Sequence, residues 1–292
     1  MPMSMVGTID RHENLPMDEF VHDYVLPLQP VIVAGAAEGM GATRWSMEMF
    51  RSRFGERIHN VQGRDYRLAE IIDLVQSSRP ERPAPYLHNV LIPRHFPELM
   101  ADLDPLPAHM FPNWLASPLW PRWRGRGQMM APELFIGGPG ARFPCIHWDN
   151  LHMHAFLVQI SGVKEYFVYP PDQSQFMYAK KEAPNISPIS DVESPDLERY
   201  PLFAEARPIR FTLHPGEMLF VPSTWWHTVK ILTPSITLSI NGMNAANWRG
   251  FRKDLVAYVE RGKFAAFSPL LLRWVDFVAS IEWLRDMARG WI

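Results

Sequence analysis

The stretch "CIHWDNLHMH", residues 145–154, sets three histidines and one aspartate within eight positions of a chain that has 11 histidines in all. If "CIHWD" is extended, side chains two apart share a face, so His147 and Asp149 point together. A third donor comes from "HPGEMLFVPSTWWHTV", where a Pro215-Gly216 turn, a short apolar strand and Pro222 lead to His227 beside Trp225 and Trp226. Two imidazoles and one carboxylate on separate strands would grip one side of a metal and leave three coordination positions open. That donor set suits Fe(II) and oxygen chemistry better than a closed structural site. A lone His-X-Asp is also what a satisfied polar pair on a strand looks like; it is His227, about eighty residues on, that favours the metal. His152 and His154 are assigned ligand-supporting or substrate-facing positions, with a purely structural role open for both.

These residues need a scaffold that brings distant strands together. From about residue 128 the chain runs through short apolar or alternating stretches, "PELFIGG", "AFLVQISG", "KEYFVYPP", "IRFTLHPG", "EMLFVPS" and "SITLSING", each closed by a turn former. This predicts a β-sandwich or barrel over 128–248. A segment at 172–208, too long for a simple connector, reads as a lid or binding loop, or else as a disordered insertion. Residues 1–127 mix strand and helix: "PVIVAG" reads as a buried strand, and Leu68, Ile71, Ile72 and Val75 fall on one helix face. Residues 249–292 read as a helical tail, in which Leu270, Trp274, Phe277, Val278, Ile281, Leu284 and Met287 recur at helical spacing.

The chain has 292 residues, 47% of them hydrophobic, enough for a large core. Its 29 basic and 31 acidic residues nearly balance, which argues against nucleic acid or an anionic membrane as partner. No cationic start followed by an apolar run opens the chain, so a cytoplasmic location is expected. One cysteine, Cys145, excludes an internal disulfide and a zinc site built of several thiolates. The Asn185-Ile186-Ser187 sequon reads as a chance match.

Taken together, "HWD", "FLVQISGVKEYFVYPPDQ", "DVESPDLERYPLF", "HPGEMLFVPSTWWH" and "ITLSIN", in that order, resemble the cupin-like JmjC oxygenases that use Fe(II) and 2-oxoglutarate, in particular the asparaginyl hydroxylase branch that acts on hypoxia-inducible factor. With "PVIV" and "PYLHNV" the resemblance covers most of residues 18–248. The His-X-His motif of ordinary cupins does not fit, because Ile146 and Gln159 stand where it needs glycine and glutamate. The resemblance implies a double-stranded β-helix (jelly-roll) core, mainly β with α, carrying an N-terminal α/β elaboration and C-terminal helices. It implies iron ligands His147, Asp149 and His227, and Lys164 and Tyr86 on the far carboxylate of 2-oxoglutarate, with Asn241 beside it. The reaction implied is hydroxylation of an unactivated C–H bond of a protein side chain or small molecule by O2, with succinate and CO2 released.

Two departures stand out. Pro144 occupies the place of a threonine that helps hold the cosubstrate, so another donor is required. Ala155 occupies, or lies near, the place of an active-site asparagine, so asparagine hydroxylation does not carry over. Trp148, Trp225, Trp226 and Phe156 are expected to form a dry wall or to be plain core, as aromatic residues on barrel strands often are, and "RWRGRG" at 122–127 to clamp an anion or lie solvated. The alternatives are a JmjC-type N-methyl demethylase and, outside enzymes, a cupin-like binding scaffold. The tail resembles a helical dimerisation segment, which implies a homodimer.

Overall fold

The computed structural model describes residues 8–120, 131–260 and 268–292; "RWRGRG" lies outside them. Apolar runs closed by Gly or Pro, such as "VIVA" and "MLFV", form short strands. There are twelve among the described residues: β1 (Asp10–Glu13), β2 (Val31–Ala34), β3 (Ile58–Val61), β4 (Arg64–Arg67), β5 (Leu87–Leu91), β6 (Glu133–Gly137), β7 (His154–Ser161), β8 (Lys164–Tyr169), β9 (Ile209–Leu213), β10 (Met218–Val221), β11 (Trp226–Ile231) and β12 (Ser235–Gly242). A seven-stranded sheet runs β1-β2-β10-β7-β12-β6-β5 and a three-stranded sheet runs β11-β8-β9, with β3-β4 a separate hairpin. The two larger sheets form the sandwich of a jelly roll. Three strands from the first 127 residues join the large sheet, so the N-terminal elaboration extends the sandwich.

Alternation along β7 builds the core in two layers. Phe156, Val158 and Ile160 pack outward against N-terminal residues such as Phe20, Ile71 and Phe96. Ala155 and Leu157 point inward, toward Tyr166, Val168 and Val229 of the small sheet. At the β7–β8 turn Gly162 has φ +72, and a Cβ there would lie 2.1 Å from the Pro234 carbonyl oxygen. Only glycine fits, and this turn sets the register that aims Lys164 inward.

The segment at 172–208 is fastened at two places. Glu193 bonds Arg142 and, at 2.6 Å, Lys230, with Arg210 at 3.4 Å. Nearer the sandwich, Ser187 donates its N–H to the Ile146 carbonyl (2.9 Å) and Trp148 donates to Asn185 (3.1 Å), so the loop runs as an extra extended strand beside "CIHWD". The sequon asparagine is buried, its Nδ2 donating to the Trp148 carbonyl at 2.9 Å.

The helices Trp248–Glu260 and Ser268–Ala288 form a second core with Trp114, Trp120 and Met243. The C-terminal helix carries apolar residues on most sides, and the expected stripe is largely free of this chain's own core, which leaves it open to another copy of the chain rather than packed on the sandwich. Leu271, Leu272, Val275, Val278 and Ala279 are buried, whereas Leu270 is 69% exposed, Phe277 53% and Leu284 59%, with Trp274 and Met287 exposed beside them. Of the expected stripe, Val278 is the one member in the core. No helix among the described residues is long and apolar enough to cross a membrane.

Candidate active site

His147 and His227 face each other across an antiparallel bridge: the His147 N–H donates to the His227 carbonyl at 3.0 Å, and the His227 N–H returns the bond at 2.7 Å. "CIHWD" is therefore not a regular strand, as the sequence pattern suggested, but an extended segment held by isolated bridges to β11 and the long loop. Extended geometry still turns Asp149 to the side of His147. Ligand atoms of His147, Asp149 and His227 all lie within 4.8 Å of one another, with His147 Nε2 4.0 Å from Asp149 Oδ1. One ion can touch all three. The His227 Nδ1 lies 3.0 Å from the Trp225 carbonyl, to which it donates, leaving Nε2 for a metal. Burial pushes the His147 imidazole well below its ordinary pKa and the Asp149 carboxyl above the usual carboxylate range. A neutral imidazole is the ligating form, and a cation is what would restore the Asp149 charge. Two nitrogens and one oxygen on one side, with the other side open to a cavity, fit a first-row divalent ion such as Fe(II).

That cavity has a volume of about 1720 Å³ and lies between the two sheets. It exceeds a typical small-ligand pocket, so a cosubstrate and part of a second molecule have room together. At its floor Lys164 is 1% exposed, with Nζ donating to the Tyr86 hydroxyl at 2.9 Å and lying 5.2 Å and 5.5 Å from the rings of Tyr86 and Phe135. No carboxylate bonds Lys164 among the described residues, and burial pulls its pKa down to about 7. A buried amine without a counter-ion is a built anion site. Tyr86, its pKa raised well above the ordinary value by burial, keeps its proton and can donate it to the same anion. Lys164 pairs with Ile231 and His227 with Val168, four positions apart on one ladder, or roughly 13 Å of strand. The lysine stem rises through part of that interval, and a short dicarboxylate spanning the remainder fits 2-oxoglutarate.

The other expected residues divide. Asn241 and Trp148 line the cavity. His152 also lines it, with Nδ1 2.6 Å from Asp254 Oδ2. His154 does not: it is fully buried behind the wall, where its Nδ1 accepts from the Ser223 N–H at 3.0 Å and Nε2 lies 3.3 Å from Asn244 Oδ1. Trp226 lies on the outer face of the small sheet, donating Nε1 to Ser174 at 2.9 Å, and Trp225 and Phe156 belong to the packed layers. Of the aromatic wall only Trp148 remains. Sequence reasoning missed Glu133, Tyr166, Thr237 and Ser239, whose side chains share the cavity wall. Alternation on strands already recognised would have placed them inward. Tyr166 and Ser239 supply hydroxyls where Pro144 has none, whereas the Thr237 hydroxyl donates to Gln159 Oε1 at 2.8 Å. Lys181 and Glu182 of the long loop and Tyr258 of the helix Trp248–Glu260 form the rim.

The model of the cupin-like domain matches residues 59–246. Among curated proteins, the chain is similar to HSPB1-associated protein 1 of Rattus norvegicus, 38% identical over 44% of this chain and 26% of that protein. It is similar to the 2-oxoglutarate and iron-dependent oxygenase JMJD4 of Gallus gallus, 26% identical over 88% of this chain and 65% of the relative. It is also similar to the lysine-specific demethylase JMJ21 of Arabidopsis thaliana, 26% identical over 83% of this chain and 26% of the relative. The match thus spans about a quarter of the length of the HSPB1-associated proteins.

Proposed function

The chain belongs to the cupin-like domain family, and from that premise we propose that it is an Fe(II)- and 2-oxoglutarate-dependent oxygenase. It hydroxylates an unactivated C–H bond of a protein side chain or a small molecule. The observation that carries this reading is one cavity holding both a two-histidine, one-carboxylate cluster and, below it, the uncompensated amine of Lys164. A binding scaffold has no use for that pairing. The relative named as a 2-oxoglutarate and iron-dependent oxygenase, similar along most of this chain, supports it.

On this reading His147, Asp149 and His227 hold iron, which supplies oxygen activation coupled to decarboxylation of the cosubstrate. Everything else is positioning by the protein. Lys164 and Tyr86 fix the far carboxylate, so the bound acid has one orientation. The Trp225 carbonyl holds the His227 ring in the ligating tautomer. Phe143, stacked on the His147 ring at 4.4 Å, and Trp148 shield the ligands from water. The rim residues of the loop and helix aim the substrate's reacting carbon.

The reading includes a homodimer built on the exposed apolar face of the C-terminal helix, since an area of that size is rarely left in water. It also includes a cytoplasmic location, where a chain with a single cysteine and a reduced iron centre is at home. The test is to incubate purified protein with Fe(II), ascorbate and 2-oxoglutarate, follow succinate, and screen candidate substrates for a gain of one oxygen. No succinate above the metal-free control, from protein shown to contain iron, would overturn the reading.

A further inference from the structure

Strand β6 turns Glu133, Phe135 and Gly137 inward, opposite Ser239, Thr237 and Ser235 of β12. Phe135 lies beside Lys164 at the floor, and Glu133 stands one inward position further along. An ionisable carboxyl is out of place there on packing grounds, between Pro132 and the apolar run Leu134-Phe135-Ile136, because half-burying it costs energy that a neutral residue would not. Its one bond among the described residues is from Asn89 Nδ2 at 2.9 Å, and no cation is bonded to it there. Asn89 holds the carboxyl in place, in a left-handed backbone conformation with φ 54.

The charge balance of the filled cavity shows what Glu133 lacks, an argument that rests on the oxygenase reading. Iron(II) and the Lys164 ammonium bring three positive charges. Asp149 and the 2-oxoglutarate dianion bring three negative ones. The other charged residues of the lining balance, Lys181 and Lys253 against Glu182 and Asp254, so among the described residues the charge of Glu133 is left over, in a cavity with room for a further molecule. We propose that Glu133 is a specificity-determining residue that pairs with a cationic nitrogen of the substrate, an ammonium or guanidinium, with the Ser239 hydroxyl and Asn241 amide beside it on β12. A neutral or acidic group at that place leaves a sheltered carboxylate unpaired, so substrates are discriminated by charge. The pKa of Glu133 is raised by burial against the pull of the Asn89 bond. A cation would relieve that.

The test uses the full chain with Fe(II) and 2-oxoglutarate under anaerobic conditions, so that nothing turns over. Calorimetry compares Nα-acetyl-lysine methylamide and Nα-acetyl-arginine methylamide with the neutral norleucine analogue, on wild type and on the isosteric Glu133→Gln. At least one cationic probe should bind wild type tenfold or more tightly than norleucine does. Glu133→Gln should lose that preference while keeping its affinity for 2-oxoglutarate. If wild type binds 2-oxoglutarate but does not prefer either cation, or if Glu133→Gln retains the preference, the proposal is overturned. Failure of wild type to bind 2-oxoglutarate overturns the oxygenase reading itself, and with it the charge balance argued above.

Discussion

Lys164 donates to the Tyr86 hydroxyl across 2.9 Å at the floor of the cavity, and among the described residues it has no carboxylate to neutralise it. With its pKa pulled to about 7 by burial, Lys164 is charged below that value and neutral above it until an anion binds. Anion binding requires the charged form. At pH 8, therefore, 2-oxoglutarate binding takes up a proton, and affinity falls with rising pH by as much as about tenfold per unit. Calorimetry in two buffers of different ionisation heat reads the uptake directly; none at pH 8 would contradict this account. Between about pH 7 and the ordinary lysine range near 10.4, the unfolded chain binds a proton that the native cavity lacks. The contribution of Lys164 to stability accordingly grows as pH rises through that window.

Metal binding should depend on His147, Asp149 and His227 and be indifferent to His152 and His154. Each ligand→Ala variant is expected to lose iron, measured per chain after anaerobic reconstitution. His152→Ala should keep it. His154→Ala should keep it too, but strands the Ser223 N–H in the core, at a cost of about 1–3 kcal/mol of stability. Full iron content in His227→Ala, or loss in His154→Ala with the fold intact, would refute the ligand assignment.

The strand-forming stretches and the clustering of His147, Asp149 and His227 were legible in the sequence: Gly and Pro punctuate the apolar runs, His147 and Asp149 are two residues apart, and a turn, a short strand and Pro222 lead to the distant His227. What was not legible depends on contacts between distant parts of the chain. Trp226 and His227 are neighbours, yet alternation on β11 sends one to the outer face and the other to the cavity, so the adjacent tryptophan is core and not wall. Similarly, His154 and Ala155 lie on opposite faces of β7. Glu133 looked like any strand residue until β6 was seen beside β12. For the C-terminal helix the sequence left open whether the stripe packs on the sandwich or on another copy, since apolar residues on most of its sides do not say which face the chain itself covers.

That helix makes the oligomeric state measurable. Sedimentation of the full chain at micromolar concentration should give a dimer, and the double variant Trp274→Ser, Leu284→Ser a folded monomer, because both side chains are exposed and neither belongs to the helix's own core. A monomeric wild type would remove the dimer from the account.

Acid stability should fall between about pH 6.5 and pH 4. His59 and His154 are buried, and burial lowers both to about 4, so in that window the unfolded chain takes up protons that the native fold refuses. His59 stacks on Phe96 with ring centroids 5.4 Å apart, and its Nε2 has no partner, so His59→Phe keeps a flat ring there and removes one titrating site. Its melting temperature should decline less than that of wild type from pH 7 to pH 5. Parallel declines would show that His59 does not control acid stability.

The central claim is that one cavity holds iron on His147, Asp149 and His227 and a dicarboxylate on Lys164. Anaerobic titration of 2-oxoglutarate into the Fe(II) protein, followed by its metal-to-ligand absorption band, tests both halves at once. Wild type should give a saturable band. Lys164→Ala should keep its iron but bind 2-oxoglutarate more weakly by about 2–5 kcal/mol, roughly thirtyfold or more. Tyr86→Phe should lose about 1–3 kcal/mol. No band in iron-loaded wild type, or an unchanged affinity in Lys164→Ala, would contradict the account.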